Sequence, residues 1–181
     1  VMTVPHLNFL RYPRLYPLSE RLLALRLSRR ALRQAHRVIT VSSPAREELS
    51  ERLSIDPAKI EVLMPLAARV PQEPPHQAEL EHTRRKYGLP ERFILMLGAV
   101  EPRHNHEAVL DALSAMESAV GVVVCGRRTA WSDSLLNRAR ERHLATRVDF
   151  IYELSPADLP ALFRLARVFA YLPDAEAEAS I

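Results

Sequence analysis

Phe93-Ile94-Leu95-Met96-Leu97-Gly98 and, further along, Val122-Val123-Val124-Cys125-Gly126 decide the fold. Each is a short run of apolar residues that ends on a glycine. A strand that is apolar at every position has both faces covered, which is the situation of a parallel sheet packed between helices. Between the two runs, residues 106–116 carry a helical pattern. Outward from them, a polar helix over 79–87 stops at Gly88, a residue suited to the position just past a helix end. Downstream, the pattern predicts a helix over 134–142, a strand over 148–151, a helix over 156–165 and a strand over 168–171. Ser155-Pro156-Ala157-Asp158 reads as a capping box with proline in the first turn. Strands alternating with helices at this spacing predict an α/β unit with a parallel sheet and helices on both faces.

The region before residue 65 predicts part of a second α/β domain. Residues 1–4 form a strand candidate, with a proline- and aromatic-rich loop after it through Pro17. Ser19 reads as the N-cap of a helix reaching about Arg37. On a helical wheel Ala24, Leu25, Leu27, Ala31, Leu32 and Ala35 fall in one half. Arg26, Arg29, Arg30, Arg33 and Arg37 gather on the other side. A β-branched run over 38–41 is bounded by Ser42-Ser43-Pro44, which opens a helix through Leu53. Another strand is expected over 60–64. Pro65, Pro71, Pro74 and Pro75 then mark a linker. The expected organisation is therefore an N-terminal α/β domain end over 1–64, a linker over 65–77 and a truncated second domain over 78–181.

Composition removes several classes of function. One cysteine in 181 residues forms no internal disulfide and no multi-cysteine zinc module. Cys125, at a strand end, reads as an inert core residue. The apolar runs fall far short of the ~20 residues of a membrane span, and the start lacks the pattern of a signal peptide. The formal charge is +3 and all 25 basic residues except Lys59 and Lys86 are arginine. Much of that excess sits on one face of the helix that starts near Ser19. The face is either simply solvated or suited to an anionic membrane surface, where each cation contributes about 1 kcal/mol. It lacks the interleaved aromatics of a nucleic-acid surface. His104-Asn105-His106 has no acidic or histidine partner at a metal-ligand spacing, and Trp131 reads as packed in a loop, with stacking on a base as the alternative.

The chemistry is expected where the first of the two strands ends. Gly98 lets a ligand approach the backbone, the helix start beyond it favours an anion, and Arg103 offers a charged fork for phosphate. Leu97-Gly98-Ala99-Val100-Glu101-Pro102-Arg103-His104-Asn105 with Leu110-Asp111-Ala112-Leu113 resembles a signature of family-four glycosyltransferases. Val122 to Arg127, Arg147-Val148-Asp149-Phe150, and Ser155 to Phe169 are similar to that family's later motifs, in order. Ala35 to Leu49, Pro57 to Ile60 and Val4 to Tyr16 resemble its earlier ones.

The resemblance implies a GT-B fold with a Rossmann-like C-terminal domain that binds a nucleotide-sugar. It implies transfer of the sugar, with retained configuration, to a glycan or lipid-linked acceptor, with no required metal or cofactor. The location it implies is cytoplasmic, at the inner face of the membrane if the arginine helix binds there. Donor-binding positions fall on Gly98, Arg103, His104 and Gly126, with His104 standing where the family has a lysine. The sugar-handling carboxylate falls on Glu176, or on Glu178 in the alternative register. His6 is either the family's acceptor-side histidine, displaced, or an unrelated loop residue. Ala67, Tyr152, Ala177 and Ala179 replace usual glycines. These departures motivate an alternative, a degenerate non-catalytic sugar-nucleotide-binding or interaction module.

Overall fold

In the computed structural model, residues 1–63, 73–116 and 119–173 are described. The backbone divides into two units, whose described parts are residues 1–63 and the remainder from 73 to 173.

The first unit runs β1 (Met2–Thr3), α1 (Asn8–Arg11), α2 (Leu18–Gln34), β2 (Val38–Thr40), α3 (Ser43–Leu53) and β3 (Ile60–Val62). Its strands pair in parallel in the order β1-β2-β3, with Met2 opposite Val38 and Val38 opposite Ile60. Leu32, Leu49 and Leu53 bury against Val38 and Ile60. Each such side chain contributes about 1.5–3 kcal/mol. The start of α3 agrees with the sequence: the Ser42 hydroxyl accepts from the Ala45 N–H at 3.3 Å, and Pro44 occupies the first turn, where its missing N–H costs nothing.

Helix α2 departs from expectation at both ends and on its face. Pro17, not Ser19, precedes it, and Ser19 lies inside the first turn. It ends at Gln34 because the residues after it are drawn into the sheet. Ala35 is extended, and the Arg37 carbonyl accepts from the Met2 N–H at 3.0 Å. Arg37 therefore lies beyond the helix. The strip turned toward the sheet is also narrow, with Leu32 buried and Ala24, Leu25 and Ser28 half-buried. Leu27, on the expected apolar half, is 59% exposed, and Leu22 and Leu23 are exposed as well.

The second unit runs α4 (Gln77–Tyr87), β4 (Phe93–Leu97), α5 (His106–Ser114), β5 (Gly121–Cys125), α6 (Ala130–Glu141), β6 (Val148–Ile151), α7 (Leu159–Leu165) and β7 (Val168–Phe169). All pairs are parallel, in the order β6-β5-β4-β7. The alternation of strand side chains divides the core into two layers. Val122 and Val124 of β5 pack with Leu110, Leu113, Leu135 and Ala139 under α5 and α6. Val123 and Cys125 pack with Phe93, Leu95 and Leu162 on the side of α4 and α7. Gly88, at φ +62°, ends α4 in the left-handed conformation.

Two helix starts differ from the sequence reading. Helix α6 begins at Ala130, so Trp131 lies in its first turn, exposed, rather than in a loop. Thr129 is the cap: its hydroxyl accepts from the Trp131 N–H at 3.2 Å, and its own N–H donates to the Ser132 hydroxyl at 3.0 Å. The capping box at Ser155 does not form, because its members are engaged elsewhere. Asp158 accepts from Lys86 Nζ at 2.6 Å and from the Tyr87 hydroxyl at 2.8 Å, while the Ser155 N–H donates to that hydroxyl at 3.1 Å. A 3₁₀ turn over Pro156–Asp158 leads into α7 instead.

Candidate functional site

The first strand of the second unit, β4, lies between β5 and β7, so the chain leaves it in opposite directions on its two sides. Ligand crevices of open α/β sheets form at the carboxyl ends of strands at such a switch point. At that end the ladder continues one residue past each strand. The Gly98 N–H donates to the Cys125 carbonyl, and the Gly126 N–H to the Ile151 carbonyl, both at 3.0 Å. The two glycines answer different demands. Gly98 has φ +119°, a conformation that excludes ordinary side chains, and a Cβ there would meet the His104 ring at 3.2 Å. Gly126 faces the Gly98 carbonyl so closely that a Cβ has no room.

Beyond Gly98 the backbone makes a short 3₁₀ turn over Pro102–His104 and reverses at Asn105, φ 50°, before entering α5. The turn aims two side chains. Arg103 Nε donates to Glu101 Oε2 at 2.7 Å, which fixes the guanidinium against its own loop. His104 is buried and its Nδ1 lies 2.6 Å from the Ala99 carbonyl, so Nδ1 carries the proton. The ring thus braces the backbone at Gly98 and Ala99. The structure therefore brings Gly98, Gly126, Arg103 and His104 together at one rim.

Neighbouring residues complete that rim. Tyr152, past β6, stacks on Phe150 with ring centroids 5.6 Å apart, and the Arg128 guanidinium sits 5.7 Å from the Tyr152 ring centre. Arg128 also pairs with Asp133 at 2.7 Å. The Thr129 hydroxyl donates to the Val100 carbonyl, tying the start of α6 to the loop after β4. The sequence reading missed Glu101, Arg128 and Thr129; only the T-x-x-S spacing of Thr129 and Ser132 was a usable signal. Burial raises the Cys125 thiol to about 11, which makes it a poor nucleophile.

The family model for glycosyl transferases group 1 matches residues 80–180, more than half of the chain. The chain belongs to that family. The model for glycosyltransferase family 4 matches residues 1–65. No curated protein sequence matches. Among solved structures, Anabaena HepE in complex with UDP and glucose is similar with a TM-score of 0.75 and 18% identity, covering 95% of this chain and 47% of that one. Sucrose-phosphate synthase from Thermosynechococcus elongatus gives 0.71 and 19% identity, covering 98% and 45%. WaaG, a glycosyltransferase involved in lipopolysaccharide biosynthesis, gives 0.60 and 16%, covering 78% and 39%. These likenesses show the GT-B fold. The chain spans less than half the length of each.

The sequence of this group 1 glycosyl transferase chain names further candidate site residues. His6 is exposed in the loop after β1, in the first unit. Glu176, Glu178, Ala67, Ala177 and Ala179 lie outside the described residues. Arg26, Arg29, Arg30 and Arg33 are exposed along α2. Arg29 donates to the Arg52 carbonyl at 3.3 Å, and Arg37 pairs with Glu61 at 3.4 Å. Among the described residues no helix is long and apolar enough to cross a membrane.

Proposed function

We infer that the protein transfers a sugar, with retained configuration, from a nucleotide-sugar to a glycan or lipid-linked acceptor. The observation that carries this reading is the rim at Gly98 and Gly126, where two strand ends lack side chains beside the Arg103 cation, in a chain of the glycosyl transferase family. Gly98 admits the donor to the backbone, Gly126 lets the two strand ends close up beneath it, and Arg103 receives its diphosphate, with His104 bracing the loop. Glu176, or Glu178, contacts the sugar, and His6 serves the acceptor side. In the transition state the sugar gains positive charge and the departing diphosphate gains negative charge. A guanidinium at the phosphates and a carboxylate at the ring then bind that state better than the ground state, without a metal.

A bound donor tests this reading. UDP-glucose is a suitable first probe, since HepE was solved with UDP and glucose. Arg103→Ala is expected to weaken its binding about tenfold or more, the loss of a charge-assisted hydrogen bond, measured by calorimetry. Unchanged affinity removes Arg103 from the site.

A second reading, a non-catalytic sugar-nucleotide-binding module, is favoured by one observation: the family lysine position holds His104, which is buried against Gly98 and Ala99. Donor binding without sugar transfer or donor hydrolysis would support it. The exposed leucines of α2 beside Arg26, Arg30 and Arg33 support a peripheral, cytoplasmic placement at an anionic membrane surface.

A further inference from the structure

Behind the loop after β4 lies a second cavity, of about 400 Å³, between the starts of α5 and α6. Gly98, Arg103, His104 and Gly126 do not line it. Its volume is within the roughly 300–1,000 Å³ of small-molecule sites. Trp131 borders it and is 46% exposed, although an indole of that size is ordinarily largely covered. Two turns further along α6, Arg138 forms an ion pair with Glu107 of α5. Asn105 and Ser134 add neutral donors and acceptors.

His106 lies in the cavity wall with its ring nitrogens sealed from the cavity itself. It borders the cavity, is 4% exposed, and neither ring nitrogen finds a hydrogen-bond partner of good geometry. A buried polar group without a partner is costly, and native proteins rarely retain one without a reason. Burial, with the neighbouring His104, lowers its pKa to about 4, against a weaker opposing effect of the Glu101 backbone. The imidazole is therefore neutral at physiological pH and adds no charge to the cavity wall.

The chemistry of the lining selects the ligand class. An anion would face the carboxylates of Glu101 and Glu107. A metal ion would need a cluster of His, Cys, Asp or Glu, and the described residues hold none. A neutral polyol matches each feature. Hydroxyls donate and accept at once, as the Glu107–Arg138 pair requires. The apolar face of a pyranose ring covers an exposed indole. We propose that this cavity is a second carbohydrate site, which takes a pyranose ring on Trp131 with its hydroxyls bonded by Glu107 and Arg138.

Trp131 is the single tryptophan of the 181-residue chain, so its fluorescence reads this site directly. Titration with methyl β-glucopyranoside and with linear gluco-oligosaccharides is expected to give a saturable change in the millimolar range. Tighter binding of the oligosaccharides identifies the ligand as a glycan chain, and equal binding identifies it as a single sugar. Trp131→Ala is expected to abolish oligosaccharide binding by calorimetry while leaving the affinity for UDP unchanged. Glu107→Gln is expected to lower oligosaccharide affinity about tenfold, the loss of a charge-assisted hydrogen bond. Three results overturn the proposal: no saturable response to any of these sugars, undiminished binding by Trp131→Ala, or a Trp131 response to UDP alone that sugars do not add to. Because Trp131 is exposed, its variant keeps the fold, and matching thermal unfolding curves verify this.

Discussion

The carbonyl of Gly98 occupies the space in which a Cβ on Gly126 would stand. Two strand ends of the second unit therefore approach closer than any side chain permits, and the rim at the carboxyl edge of the sheet depends on that approach.

Gly126→Ala is accordingly expected to destabilise the second unit by roughly 1–3 kcal/mol, the usual cost of overpacking, because the obstacle is backbone and not a mobile side chain. Donor affinity should fall with it, since β4 and β5 must part where the site lies. Chemical denaturation together with calorimetry measures both. Stability within error of the parent would mean that the two strand ends separate freely.

The pH dependence of stability carries a signature of His106. Its folded pKa, about 4, lies below the ordinary 6.5, so between those values the unfolded chain binds more protons than the folded one. Stability from this group is complete above about pH 6.5 and is lost as pH falls toward 4, with a ceiling of about 3 kcal/mol. Urea unfolding across that window is expected to show the slope, and His106→Gln is expected to flatten it. An equal slope in the variant would assign the effect to other groups.

Tyr87 joins α4 to the segment before α7 through one hydroxyl that donates to Asp158 and accepts from Ser155. Tyr87→Phe should cost about 1–2 kcal/mol, two hydrogen bonds at their usual net value. Lys86→Met should cost less, because its ion pair with Asp158 is exposed to solvent on the lysine side. A larger effect from Lys86 than from Tyr87 would reverse this ranking.

Association with vesicles tests α2. Arg26→Ala, Arg30→Ala and Arg33→Ala together are expected to reduce partition onto phosphatidylserine vesicles by about 1 kcal/mol per cation, roughly fivefold each. Added salt should act in the same direction. Sedimentation of the variant equal to that of the parent would leave this face as a solvated one.

Sequence alone determined the elements whose signals are local. Strands Phe93–Leu97 and Val148–Ile151 were legible because an apolar run between turn residues has few other uses, and Gly88 because a helix end needs a left-handed residue. The order of motifs also singled out Gly98, Gly126 and Arg103, which the fold brings to one rim. What tertiary structure decided depends on partners distant along the chain. The Ser155 cap was overridden by Tyr87 and Lys86, which approach from α4. The end of α2 was set by a hydrogen bond from Met2, and the exposure of Leu22, Leu23 and Leu27 by how narrow a strip the small sheet accepts. No periodicity could report that His106 would be buried while Trp131 stays exposed. Local propensity acts within a few residues, whereas burial and polar satisfaction are settled only when separate segments meet.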